Sequence, residues 1–143
     1  MGSQSVSVAV GVVFNDHGNV MLARTTYGTR SIGPPGVRIE QGESPVAAAR
    51  REFSEETGFE IHVDRLIGIY SFTDQDHEAV VYAFFCSIVG GQLRIRTDEI
   101  SEVIWGDPRS LPEPADLVGP FAISDALDHN WGVIREGLVW RPR

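Results

Sequence analysis

The chain is short of cysteine, short of cations and free of long apolar runs. Its one cysteine, Cys86, excludes an intrachain disulfide and a thiolate metal cluster. Cys86 ends the apolar stretch Val80-Val81-Tyr82-Ala83-Phe84-Phe85-Cys86, so it reads as a buried core thiol. Lys and Arg number 12 against 20 Asp and Glu, a net charge of −8. That balance argues against any partner held through a phosphate backbone, so no nucleic-acid polymer is expected. A nucleotide stays open, because a bound cation reverses the local sign of an acidic site. No segment is long and apolar enough to span a bilayer, so no membrane partner is expected. Met1-Gly2-Ser3-Gln4-Ser5 lack the basic start and apolar stretch of a secretory leader, which points to the cytoplasm. Repeats, low-complexity tracts and linkers are missing too. What is present is 143 residues, 42% of them hydrophobic, which suits one domain over 1–143 with a real core.

Valine-rich residues 5–14 read as a strand, and the turn formers Asn15-Asp16-His17-Gly18-Asn19 lead to a returning strand at 20–23. Residues 25–35 read as a loop, with Gly33-Pro34-Pro35-Gly36 opposing regular structure. Ser44-Pro45 is a helix start, with serine capping and proline in the first turn. Ala47-Ala48-Ala49 favour the helix and Gly58 ends it. One helix is therefore expected over 45–57. Strands are expected at 60–72, 79–89 and 100–106, an irregular proline-rich connection at 107–120, and a second helix at 121–131. Strands on both sides of a helix indicate an α/β domain. The apolar tail, with Trp131 and Trp140, is left open between the core and a homodimer interface.

The first helix carries a concentration of carboxylates. At about 100° per residue, Glu52, Glu55 and Glu56 share one arc of about 100°. Val46, Ala49 and Phe53 fall on a neighbouring arc expected to be buried, which puts the acids beside the core face. Glu52 and Glu56 repel at i,i+4, near the helix end that disfavours negative charge. Arg51 pairs with Glu55 at i,i+4 and relieves part of this. Two readings are open here: a solvated charged face, or oxygen ligands for Mg²⁺ or Mn²⁺.

The spacing over residues 37–59 resembles the Nudix box. That signature is a glycine, five residues, Glu, seven residues, Arg-Glu, an apolar residue, any residue, Glu-Glu, any residue, Gly and an apolar residue. Glu43 holds the first acidic position, and Arg51-Glu52-Phe53-Ser54-Glu55-Glu56-Thr57-Gly58-Phe59 fills the second half. Val37 stands where the box has its first glycine. If that position needs φ > 0, valine alters the loop. Pro34 and Ile32 also replace residues usual ahead of the box.

The resemblance implies a MutT-like α/β/α sandwich with a mixed sheet and the box helix at about 45–57. It implies a metal-dependent pyrophosphohydrolase that cleaves the diphosphate of a nucleoside diphosphate linked to another group. Glu52, Glu55 and Glu56 then become metal ligands, one of them also a candidate base. Gly36 matches a position whose carbonyl commonly joins the metal shell. Arg51 and Glu43 match a pair that orients the catalytic glutamates. Glu99 is the candidate for a further acid, with a solvated hairpin as the alternative. Asp74, Asp76, His77 and Glu78 read as a solvated turn, and Arg24 and Arg38 as candidates for substrate phosphates. Thr73 stands where the ADP-ribose group has proline, and Asp74 to Asp76 include no tyrosine of the diadenosine polyphosphate group. The NADH and coenzyme A signatures are missing as well. By elimination the small-molecule substrate is of (d)NTP or nucleotide-sugar type. The alternative is a non-catalytic nucleotide-binding or regulatory module; an isomerase on the same fold lacks identifiable acid/base residues.

Overall fold

The computed structural model describes residues 4–73, 76–96 and 98–139; Asp74 and Trp140 lie outside the described residues. The elements are β1 (Gln4–Val12), β2 (Val20–Thr25), β3 (Ile32–Gly33), β4 (Gly36–Arg38), α1 (Pro45–Thr57), β5 (Phe59–Thr73), β6 (His77–Gly91), β7 (Ile100–Gly106), α2 (Gly119–Leu127) and β8 (Val133–Val139). A five-stranded sheet runs β4-β1-β6-β5-β8, and a three-stranded sheet runs β3-β2-β7. In the larger sheet β1 is parallel to β6 and β5 to β8, while β1–β4 and β5–β6 are antiparallel. The sheet is mixed, as expected.

The period-2 alternation of β1 divides the core between the two faces. Ala9 and Val13 pack with Ala48, Ala49 and Phe53 of α1. Val10 and Val12 pack with Val118, Ala122, Ile123 and Ala126, on and beside α2. One helix therefore covers each face, the α/β/α sandwich. Phe53 is 1% exposed and contributes about 2–3 kcal/mol by burial. Gly11 makes room for it, since a Cβ there would lie 3.0 Å from the Phe53 ring. No helix among the described residues is long and apolar enough to cross a membrane.

α1 spans the expected residues. Ser44 Oγ accepts the Ala47 N–H at 3.1 Å, and Gly58 ends the helix at φ 83°, the left-handed cap that glycine takes without strain. The buried stripe differs from expectation. It runs Ala48, Ala49, Glu52, Phe53, Glu56 and Thr57, while Val46 is exposed, two residues before the stripe begins. Glu52 and Glu56 thus lie on the core face itself, not beside it.

Other expectations need correction. Residues 25–35 are not all loop: Ile32 and Gly33 pair with Arg24 and Ala23, and Pro34-Pro35 form the step from one sheet to the other. The second helix begins at Gly119 with Pro120 in its first turn, where a missing N–H costs nothing, and it ends by Asp128. The tail holds an unexpected strand, β8, at the edge of the sheet and paired with β5. Trp131 packs partly buried against the core on the α2 side, with the Arg65 guanidinium 4.3 Å from its ring centroid.

Val37 is not strained. It pairs with Ala9 in β4, and its φ is not positive. Its side chain packs against the cluster under α1. Restoring the box residue by Val37→Gly should therefore lower stability, by about 1 kcal/mol through lost packing and added backbone entropy. A denaturant midpoint at or above wild type would contradict this. A second anchor joins α2 to the sheet: Asp125 accepts Tyr70 Oη at 2.7 Å and Arg135 Nε at 2.8 Å. Asp125→Ala leaves the buried Tyr70 hydroxyl unpaired, and thermal unfolding should show a loss of about 1–3 kcal/mol; an unchanged melting temperature would mean that the network contributes nothing.

Candidate metal and nucleotide site

The site is assembled at the C-terminal half of α1. The last carbonyls of a helix have no partner within it. Here the arm after β6 supplies donors: Arg94 N–H reaches the Thr57 carbonyl at 2.7 Å, and Arg96 N–H the Glu56 carbonyl at 3.1 Å. The chain then turns tightly, with the Glu99 and Ile100 N–H groups donating to the Arg96 carbonyl at 3.2 and 2.9 Å. This turn delivers Glu99 to the helix. The loop after β2 braces it, with Thr26 N–H donating to the Glu99 carbonyl at 2.9 Å and Thr26 Oγ1 to the Asp98 carbonyl at 3.0 Å.

Glu52, Glu56 and Glu99 each bring a carboxylate oxygen within 4.8 Å of the others. Glu52 and Glu56 are buried, at 3% and 6% exposure. At an effective dielectric of about 20, two charges at this range repel by about 3–4 kcal/mol. Burial, first of all, and then a hydrogen bond and repulsion from Glu52 hold the Glu56 carboxyl far above the usual carboxylate range. Without a cation, burial beside the Glu52 carboxylate favours the protonated form of the Glu56 carboxyl. Hard oxygen donors this close, crowded enough to hold a proton, fit a small divalent cation.

Arg51 organises the outer side. Its Nε and Nη2 donate to the two Glu43 oxygens at 2.7 and 3.1 Å, the bidentate fork that fixes both partners. These bonds hold the Glu43 carboxyl below its ordinary range, helped by the Glu40 N–H. The remaining Arg51 nitrogen, Nη1, lies 3.5 Å from Glu52 and 3.4 Å from Glu55. The expected pairing with Glu55 is present, and the fork to Glu43 is the stronger contact.

Glu55 is not brought into the close cluster. Its carboxylate is half-exposed and stands between Arg51 and Arg96, 3.7 Å from the latter. Gly36 lies on β4, against which α1 packs. Gly11 N–H bonds the Pro35 carbonyl at 3.0 Å and Ile39 N–H bonds the Ser7 carbonyl at 2.8 Å. The pairs of an antiparallel ladder alternate, so Val10–Gly36 is a non-bonded pair and the Gly36 carbonyl turns away from β1. β4 is an edge strand, so among the described residues that carbonyl faces no neighbouring strand. Arg24 is occupied otherwise: Nε bonds Glu102 at 2.9 Å and Nη1 the Arg30 carbonyl at 2.9 Å. Its guanidinium braces β2, β7 and the intervening loop. Arg38 is exposed at the end of β4.

Three residues escape a sequence reading, the first two of them near the site. Arg96 contacts Glu55, Asp98 and Glu99. Tyr27, exposed on the braced loop, is raised above its usual pKa by partial burial and by Glu56, Glu99 and Glu52. Asp116 accepts the Gly119 N–H at 2.6 Å, and burial pushes its carboxyl up to about 7. A Cβ at Gly33 would overlap that carboxylate, so only glycine fits there. None of the three belongs to a periodic motif; long-range contacts alone reveal them.

The comparisons with known proteins agree with this architecture. The family model described as NUDIX domain matches residues 4–123. A MutT-like protein of Streptomyces ambofaciens is 37% identical over 125 residues, which cover 87% of this chain and 77% of that protein. A Bacillus subtilis (strain 168) protein, provisionally named 8-oxo-dGTP diphosphatase, is 40% identical over 81 residues, 54% of this chain and 51% of its own length. Among solved structures, a MutT NUDIX hydrolase from Burkholderia pseudomallei superposes with a TM-score of 0.78 at 20% identity, covering 85% of this chain and 98% of that one. With the match running through both sheets and the box helix, the chain belongs to the NUDIX domain family.

Proposed function

We propose that this chain is a metal-dependent pyrophosphohydrolase acting on a nucleoside diphosphate linked to another group, of (d)NTP or nucleotide-sugar type. The chain is a MutT-like hydrolase of phosphoanhydride bonds by family; its substrate and its site residues are the proposal. The observation that carries it is the convergence of Glu52, Glu56 and Glu99 from α1 and the turn before β7. These three would hold Mg²⁺ or Mn²⁺, with Glu55 and the Gly36 carbonyl at its margin. When bound, the cation neutralises diphosphate oxygens and acidifies a water molecule.

The chain's own residues prepare that site. The Glu43–Arg51 fork holds the outer face of α1 in register, so that Glu52 and Glu56 point inward without rotamer search. Glu56 must give up its proton before three carboxylates can share a cation. Arg38, exposed two residues beyond Gly36, would meet an anionic substrate; Arg24 is already engaged and serves the scaffold. The (d)NTP reading rests on the missing signatures of other groups and on the provisional name of the B. subtilis relative. The non-catalytic alternative loses its main support, because Val37 occupies ordinary extended backbone.

Release of nucleoside monophosphate, with its pyrophosphate or phosphate-ester co-product, should be measured on dNTPs including oxidised ones, ADP-ribose, nucleotide-sugars and dinucleoside polyphosphates, with Mg²⁺ or Mn²⁺. Turnover should require the metal, and Glu56→Gln should lower kcat by about 100-fold or more. Undiminished turnover in that variant would remove Glu56 from the site, and no turnover on any compound would favour the binding module.

The raised carboxyl also sets a pH dependence. Folded Glu56 binds a proton that the unfolded chain releases near the ordinary value of 4.5. Metal-free stability is therefore lost as pH rises above that value. Glu56→Gln removes this dependence, so its gain in melting temperature over wild type should be larger at pH 9 than at pH 5. An equal gain at both would show that Glu56 is ionised in the folded protein.

A further inference from the structure

Arg96 is held by its backbone and divided by its side chain. Its N–H and carbonyl are both engaged, with Glu56 on one side and Glu99 and Ile100 on the other. Each guanidinium nitrogen meets a different carboxylate: Nη1 stands 3.7 Å from Glu55, Nε 3.2 Å from Asp98, and Nη2 3.7 Å from Glu99. Among the described residues, only the Nε contact is a hydrogen bond. The two longer pairs are held by charge. Arg96 also lines an open cleft of about 560 Å³ together with Glu55 and Arg94.

We propose that Arg96 alternates between two partners. Without a divalent cation it is the counter-charge of Glu55 and Glu99; with one bound it grips an oxygen of the substrate diphosphate. The proposal rests on the pyrophosphohydrolase reading for its second half. A divalent cation held by Glu52, Glu56 and Glu99 would take over the charge of Glu99, one of the carboxylates that Arg96 balances. Its charge would also repel the guanidinium and so weaken the pair with Glu55. The two 3.7 Å pairs have no hydrogen bond to lose, so they yield first. Nη2, next to Glu99, and Nη1 would then be open to an oxygen of a diphosphate drawn to the same cation, and the planar fork suits phosphate oxygens.

This makes two effects of opposite sign. Removing the guanidinium removes a competitor of the metal and a ligand of the substrate. The test uses metal-free protein, Mn²⁺ titration followed by electron paramagnetic resonance without nucleotide, and steady-state kinetics on the compound turned over best. Arg96→Gln should bind Mn²⁺ about two- to fivefold more tightly. Its KM should rise about tenfold, with kcat within about threefold of wild type. Arg96→Lys keeps the charge without the fork, so its Mn²⁺ affinity should match wild type while KM recovers only in part. A merely structural role would weaken both bindings together. Mn²⁺ affinity unchanged or weaker in Arg96→Gln, or an unchanged KM, overturns the inference in a protein that is active. A wild-type protein inactive on every compound overturns the hydrolase reading, and the diphosphate half with it.

Discussion

Two carboxylates on the buried stripe of a helix are the constraint that the rest of the molecule accommodates. Glu52 and Glu56 occupy positions that the alternation of Ala48, Ala49, Phe53 and Thr57 marks as core. Burying them is unfavourable unless they are protonated, paired or bound to a cation. The neighbouring features each reduce that cost or fix the geometry that makes it useful. Ser44 and Gly58 cap the helix. Arg51 locks its outer face to Glu43. The arm at 92–96 closes the last carbonyls and carries Glu99 into place. Burial favours the protonated form of Glu56 where no metal balances the charge.

Stability and chemistry are placed on opposite faces of the same sheet. On the α2 side, Tyr70, Asp125 and Arg135 tie helix and β8 to β5, around the cluster that includes Ile67, Phe72 and Ile123. On the α1 side, Phe53 and the alanines hold the helix close enough for its acids to face inward. Gly11 permits that approach. A helix that stood further from β1 would leave Glu52 and Glu56 in solvent, where they would be ordinary surface charge.

The local features of this arrangement are readable in the sequence. Serine-proline before a run of alanines and glycine after Thr57 define α1 to the residue, because capping is a short-range matter. The box residues Glu43, Arg51, Glu52, Glu55 and Glu56 are visible by spacing, and Glu99 by its position ahead of Trp105. What escapes depends on distant contacts. β8 has weak alternation and carries Gly137 in its middle, so only pairing with β5 makes it a strand. The burial of Glu52 and Glu56 contradicts their polarity and follows from the packing of Phe53. Arg24 looks like a free cation in sequence and is a brace in three dimensions. Arg96 looks like one more surface arginine until the arm folds it against Glu55 and Glu99.

The most direct measurement is anomalous scattering from crystals soaked in Mn²⁺. A peak bounded by carboxylate oxygens of Glu52, Glu56 and Glu99 is the predicted result, with the Gly36 carbonyl on its open side. A peak elsewhere, or none at a concentration that supports turnover, would mean that the buried acids serve the fold and not a cation.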